Sequence, residues 1–230
     1  MPTVLIAAFP AGPLAANCYV VAPAEGGPCV VVDPGQNAAG GVAGLLAEHD
    51  LTLAAVLLTH GHFDHVWSAA ELADAHSAPV YIHPADRALL TDPGRGLDPA
   101  LAAQVTSLLG PGAPKEPEQV VEIPGGEPVE IAGLRLDVEH APGHTPGSVV
   151  YALAATQERP EVMFTGDLLF AGSIGRSDFP GGDHAEILRS LERVCLSRPD
   201  DTSVLPGHGP QTTIGRERST NPFLRDIIGR

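Results

Sequence analysis

The chain has 230 residues, 43% of them hydrophobic and 18% charged, which supplies enough apolar surface for a sizeable core and argues against a disordered protein. With 28 acidic against 13 basic residues, the formal net charge of -15 repels phosphate backbones and disfavours DNA or RNA as a substrate. Cys18, Cys29 and Cys195 are odd in number and lack a CxxC spacing, so they indicate neither a disulfide framework nor a thiolate zinc site.

At this length one layered α/β domain spanning residues 1–230 is expected. The opening MPTVLIAAFPAGPLAANCYVV has no basic leader region and is interrupted by prolines, which reads as cytoplasmic. No apolar run reaches the roughly 18 residues that a membrane span requires. NCYVVA around Cys18 and PCVVVDPG ending at Asp33, Pro34 and Gly35 read as neighbouring strands. GGVAGLLAEH, from about Gly40 to His49, has the spacing of a short amphipathic helix, and LAAVLLTH after it that of a buried strand. VWSAAELADAHSA then predicts a helix and PVYIHP another strand, giving a β-loop-α-β unit.

From about Thr91 to Glu118 the chain is rich in Pro and Gly around LDPALAAQVTSLLG, which predicts an insertion or a flap over a site. Alternating apolar positions in EPVEIAGLRLDVEHAPG predict a hairpin, and SVVYALA and EVMFTGD predict buried strands. A helix from His184 to Cys195 and a last strand, TSVLPGHG, complete the pattern. The expected fold is α/β, an αββα sandwich of two sheets between helical layers. Neither a GxxxxGKS/T phosphate loop nor a GxSxG nucleophile elbow is present.

The densest chemical signal is Thr59-His60-Gly61-His62-Phe63-Asp64-His65, three imidazoles and a carboxylate at a strand-to-helix turn. Such donors suit zinc, iron or manganese, and a loop leaving a rigid strand can aim alternate side chains at one point. A polar turn capping the following helix accounts for Asp64, since carboxylates are favoured at helix N-termini, but leaves three histidines unexplained.

THGHFDH resembles the H-x-H-x-D-H signature of metallo-β-lactamase fold hydrolases. APGHTPGS with His144, FTGD with Asp167 and LPGHGP with His208 follow in that family's order, so the resemblance spans nearly the whole chain. It implies a first metal on His60, His62 and His144, a second on Asp64, His65 and His208, and Asp167 bridging both. By themselves, His144, Asp167 and His208 read equally well as turn residues. His49, His76, His83, His140 and His184 are assigned no chemistry; His140, near His144, lacks the flanking Gly-His-Thr pattern and is expected on a sheet. Asp33 resembles a family aspartate that steadies the ligands, although an Asp-Pro-Gly turn explains it as well.

The resemblance implies hydrolysis through a metal-bridging hydroxide, with Asp64 as both ligand and catalytic residue orienting the nucleophile, and with two divalent ions, zinc foremost and iron or manganese as alternatives. FTGDLLFAGSIGRSDFPGGD and LPGHGPQTTIGRERSTNPFL look like small bacterial glyoxalase II-like proteins, which implies a small-molecule thioester such as an S-lactoyl derivative of a low-molecular-weight thiol. Where glyoxalase II carries a glutathione-binding Lys and Tyr, this chain has Arg176 and Asp178, which can contact a substrate carboxylate or simply pair with each other. Asp167 also separates the chain from β-lactam-hydrolysing relatives. The rival readings are a single-iron persulfide dioxygenase, which the PGHGP around His208 speaks against, and a non-catalytic metal-binding protein. His62 speaks against the electron-transferring diiron relatives, which usually carry Glu there.

Overall fold

The computed structural model describes residues 4–92, 94–103 and 115–229. Two six-stranded sheets dominate it. The first runs in sequence order: β1 (Leu5–Ala11), β2 (Ala16–Ala22), β3 (Gly27–Val32), β4 (Leu51–Leu57), β5 (Val80–Ile82) and β6 (Val120–Glu122). β1 to β3 pair antiparallel, and β3 to β6 parallel. The second is built from β7 (Val129–Ile131), β8 (Leu134–His140), β9 (Val149–Leu153), β10 (Val162–Gly166), β13 (Ser203–Pro206) and β14 (Thr212–Thr213) in the order 14-13-10-9-8-7. A small hairpin, β11 (Leu169–Phe170) with β12 (Ser173–Ile174), stands apart.

The period of two along each strand divides its side chains between two cores. On β2, Cys18, Val20 and Ala22 face the layer containing α1 (Ala38–Glu48), while Tyr19 and Val21 face the second sheet. On β9, Val149, Tyr151 and Leu153 face the first sheet, while Val150 and Ala152 face the layer of α4 (His184–Ser190). Both faces of these strands are covered, which is why NCYVVA and SVVYALA read as nearly unbroken apolar runs. Between the sheets the Tyr19 and Phe164 rings meet edge to face, with centroids 5.3 Å apart. The αββα layering is the one expected.

Several boundaries differ from expectation, each for a local reason. VWSAAELADAHSA is not one helix but α2 (Phe63–Val66) and α3 (Ala69–Ala75). The break falls where the Ser68 amide donates to Pro34 O at 2.9 Å instead of continuing the helical ladder. β1 is not predicted from the sequence; its Pro10, which lacks an N–H donor, is tolerated because β1 is a sheet edge. Past Cys195, which closes a π-helical turn (Leu191–Cys195) after α4, TSVLPGHG is not the last element. β14 follows, then α5 (Ile214–Thr220), capped by Thr213, and α6 (Pro222–Ile228), capped by Asn221 with Pro222 in its first turn. The expected flap, Thr91 to Glu118, lies partly outside the described residues; in its described part, Asp98 accepts from the amides of Ala100 and Leu101 and starts a helical turn.

Candidate metal centre

The parallel pairing of β3 with β4 puts the loops that leave them side by side, and the Asp33 amide donates to Leu57 O at 3.0 Å. Asp33 itself adopts a left-handed φ of 50° and turns its carboxyl group across the gap. There it accepts from the Thr59 amide at 2.8 Å, from Thr59 Oγ1 at 2.6 Å and from His65 Nδ1 at 3.1 Å. The opposite sheet delivers His144 from the β8–β9 loop, Asp167 from the end of β10 and His208 from the end of β13 to the same edge. Two contacts lock this edge: the Val149 amide donates to Thr59 O at 2.7 Å, and Asn17 Nδ2 donates to Pro206 O and Gly209 O at 3.0 and 2.9 Å.

All seven side chains expected from the sequence converge there. His60, His62 and His144 form one triad and Asp64, His65 and His208 another, the donor atoms within each lying within 4.8 Å of one another. His62 Nδ1 faces His144 Nε2 at 2.8 Å, and His65 Nε2 faces His208 Nε2 at 3.2 Å. Asp167 lies between the triads, Oδ1 at 3.4 Å from His65 Nε2 and Oδ2 at 3.5 Å from His144 Nε2. Asp64 Oδ2 lies 3.2 Å from His208 Nε2. A third grouping, Asp33 with His60 and His65, is also close enough to hold an ion, but both Asp33 oxygens already accept from Thr59 and His65.

In His60, His65 and His144 an outer contact at Nδ1 leaves Nε2 turned to this focus. His65 Nδ1 donates to Asp33, His144 Nδ1 donates to Arg176 O at 2.7 Å, and His60 Nδ1 pairs with Thr59 Oγ1 at 3.1 Å. These second contacts orient the rings and raise their basicity, as is usual around metal ions. His60 Nε2, His62 Nε2 and Asp167 Oδ1 are buried without a hydrogen-bond partner, an arrangement that costs free energy in a purely structural site.

Electrostatics divides the triads. Burial, then the neighbouring His144, pushes His62 down to about 3. Burial and the surrounding imidazoles likewise hold His60 well below its usual value. Both rings are therefore neutral and offer lone pairs, as metal ligands must. For His65, burial opposes charge, but Asp167, Asp64 and Asp33 prevail and lift it to about 10. His208 is raised in the same sense, burial being outweighed chiefly by its hydrogen bond to Asp64 and by Asp167. Asp64 is held below the usual carboxylate range despite its burial, by His65 and His208. The carboxylates of Asp33, Asp64 and Asp167 thus set the imidazoles of the second triad in a negative surrounding, a place for a hard or borderline cation.

Close backbone approaches make the cradle. A Cβ on Gly207 would lie 2.2 Å from Asp167 Oδ1 and 2.7 Å from His65 Cε1, and one on Gly35 would lie 2.1 Å from Asp64 O.

Asp86 escaped the sequence reading. In the 3-10 helix Pro84–Leu90, fully buried, it accepts from the Gly61 amide at 2.8 Å, the Gly147 amide at 2.8 Å and Thr145 Oγ1 at 2.6 Å. It thereby ties the His60–His65 loop to the His144 loop. Only its place in HPAD, just inside a Pro-led turn, marked it in the sequence. His140 sits on β8 as expected, stacked on His83 at 4.2 Å and bonded through Nε2 to Pro146 O at 2.8 Å. Arg176 pairs with Asp178 through two bonds of 2.8 and 2.7 Å and lies 3.6 Å over the Phe179 ring.

The sequence profile of the metallo-beta-lactamase superfamily matches residues 11–208. The chain belongs to this superfamily. It is a metal-dependent hydrolase of the superfamily, with a metal site of His and Asp side chains. An uncharacterised protein of Mycobacterium tuberculosis is 49% identical over 225 residues, covering 97% of this chain and 99% of the relative. The hydroxyacylglutathione hydrolase GloC of Haemophilus influenzae is 34% identical over 194 residues, or 84% of this chain and 86% of GloC. Among solved structures, the BLEG-1 B3 metallo-beta-lactamase superposes with a TM-score of 0.80 at 38% identity, over 96% of this chain and 99% of its own. TTHA1623 in a di-iron-bound form gives 0.76 at 39%, over 97% and 100%. ETHE1 from Myxococcus xanthus gives 0.74 at 25%, over 97% and 90%.

Proposed function

We propose that this superfamily member hydrolyses thioesters of a low-molecular-weight thiol, with S-lactoyl derivatives as the reference substrate. In this reading His60, His62 and His144 hold one divalent ion, Asp64, His65 and His208 hold a second, and Asp167 is shared. The position of the Asp167 carboxyl group within 3.5 Å of a histidine from each triad is the observation that carries it. Zinc is the expected metal, with iron and manganese as alternatives; TTHA1623 supports a two-metal centre and favours neither zinc nor manganese. Divalent cations at such a focus make water a nucleophile at neutral pH and polarise an acyl oxygen. Asp64, which borders the cavity and lies 3.2 Å from His208 Nε2, would accept a hydrogen bond from the attacking water and fix its direction.

GloC supports the thioester, and the bond acted on is one that water can split without a covalent enzyme intermediate. The Arg176–Asp178 pair occupies the loop where a glutathione contact is expected, which supports loose recognition of the carrier thiol. S-lactoylglutathione and simpler S-lactoyl thioesters should then differ by no more than about tenfold in kcat/KM.

ETHE1 keeps a persulfide oxygenase as the second reading. His208, 3.2 Å from both His65 and Asp64, favours the hydrolase, because a single iron on two histidines and a carboxylate has no use for it. BLEG-1 is named a β-lactamase, so the expectation against β-lactams rests on Asp167 and is tested alongside. The test combines elemental analysis with a panel of S-lactoyl thioesters, a β-lactam, and a persulfide with oxygen uptake recorded. About two metals per chain and thioester turnover are expected, and Asp167→Ala should release both metals. One tightly held iron, indifferent to loss of His208, with persulfide-dependent oxygen uptake, would overturn the reading.

A further inference from the structure

A cavity of about 660 Å3 opens directly above the metal cluster, and most of its wall has no part in the chemistry so far described. Pro13, Leu14, Phe63, Leu97, Leu101 and Phe179 form most of that wall, with Gln36 beside them. Leu14 is 53% exposed, one of three exposed large hydrophobic side chains among the described residues, and it stands at this rim. The turn that presents it is tightly held: Gly12 and Ala15 have φ of 64° and 53°, and the Ala15 amide donates to Gly12 O at 3.2 Å. An apolar side chain fixed outward beside a reactive centre loses contact with water only when an apolar group enters the cavity.

The polar complement of the wall is as informative. Arg176 is the one Lys or Arg lining the cavity among the described residues, and Asp178 and Phe179 already occupy its edge and its face. Away from the metal ligands, a carrier bearing carboxylates or phosphates therefore finds no unpaired Lys or Arg at the wall, and the net charge of -15 repels it at longer range. Shape, apolar lining and absence of an unpaired Lys or Arg agree on one kind of group.

We propose that the cavity selects substrates by an uncharged, apolar acyl chain of medium length, bound against Leu14, Leu97, Leu101 and Phe179, while the carrier thiol stays at the solvent side. The reaction rests on the hydrolytic reading above; the selectivity rests on the wall. Water adds to the acyl carbon, the C–S bond breaks, the acyl group leaves as a carboxylic acid and the proton is taken up by the sulfur. Each methylene moved fully from water into such a wall favours binding by about fourfold.

The test uses N-acetylcysteamine thioesters of acetate, butanoate, hexanoate and octanoate, with S-lactoylglutathione as the polar reference, on the metal-loaded full chain. From acetyl to hexanoyl, kcat/KM should rise by at least about tenfold. Leu101→Asp, and separately Leu14→Asp at the exposed rim, should shrink that ratio to below about threefold. Binding of the neutral apolar fluorophore N-phenyl-1-naphthylamine to the metal-free protein gives a readout without turnover, and either variant should weaken it by about tenfold. Dye binding that the variants weaken, without cleavage of any thioester, would support the apolar cavity while overturning the thioester chemistry. Thioester turnover with a flat chain-length series, or with S-lactoylglutathione preferred to the hexanoyl ester, would overturn the proposal and leave the hydrolase standing.

Discussion

Asp64 and Asp86 are both buried or nearly so, but they act at different distances from the reacting atoms. Asp64 borders the cavity and contacts His208, so Asp64→Asn keeps the volume while removing the charge proposed to orient water. A fall of about 100-fold or more in kcat is expected, larger than any loss of metal from the first triad. Steady-state kinetics beside metal analysis of the same preparation check this, and wild-type turnover in a loaded variant would remove the assigned role. Asp86 touches no member of the cluster but satisfies three buried donors on two ligand loops. Asp86→Ala strands all three and should cost about 3–5 kcal/mol in urea unfolding. Asp86→Asn should cost less, and it should weaken metal affinity by about tenfold because the loops it ties lose their register. Equal metal affinity in Asp86→Asn and the wild type would limit Asp86 to stability alone.

At the scale of elements, the ends of strands carry the site and the short C-terminal helices brace it. Glu217 on α5 is fully buried and accepts from the Gly172 amide at 2.7 Å, Thr212 Oγ1 at 2.6 Å and Asn221 Nδ2 at 3.0 Å. It joins β14, the start of α6 and the β11–β12 hairpin that follows Asp167. Glu217→Ala should destabilise the protein by about 3 kcal/mol, measured by denaturant unfolding, since several buried donors lose their acceptor at once. A change within about 0.5 kcal/mol would show that water replaces the carboxyl group. Between the sheets, Phe164→Ala should cost about 3–5 kcal/mol, because the ring is fully buried against Tyr19 and its loss leaves a cavity in a layer gripped from both sides.

For the whole molecule, the metal centre is also a clamp. The side chains proposed as its ligands come from both sheets, so ions bound there would stabilise only the state in which the sheets are stacked. At an ion concentration of about 100 times Kd, each site adds about 2.7 kcal/mol. With both sites filled, chelation should therefore lower the Tm by about 10–20 °C for a chain of this size, and readdition of metal should restore it. An unchanged Tm after verified removal of metal would show that the sheets stack without help from the centre.

Much of this was legible along the chain because it is local. Period-two apolar runs mark strands whatever their partners, so β2, β3, β9 and β10 could be read directly. The cluster from His60 to His65 announces a metal because its donors are neighbours in sequence. His144, Asp167 and His208 gained meaning only from their resemblance to a family, since nothing local separates them from turn residues. Their convergence depends on the parallel register of β3 with β4 and on the stacking of one sheet on the other, both long-range. The same holds for the split of α2 from α3, where an amide is diverted to Pro34, and for Asp86, whose three partners lie 25 to 61 residues away. The sequence by itself determined β2 to β5, the β7–β8 hairpin, β9, β10 and β13, the layered fold class and a metal-ligating loop at His60–His65, through local periodicity and donor density. Tertiary structure alone decided which loops meet, what ties them together and that the cavity above them is walled with apolar side chains, because these depend on contacts between segments whose separation leaves no local pattern.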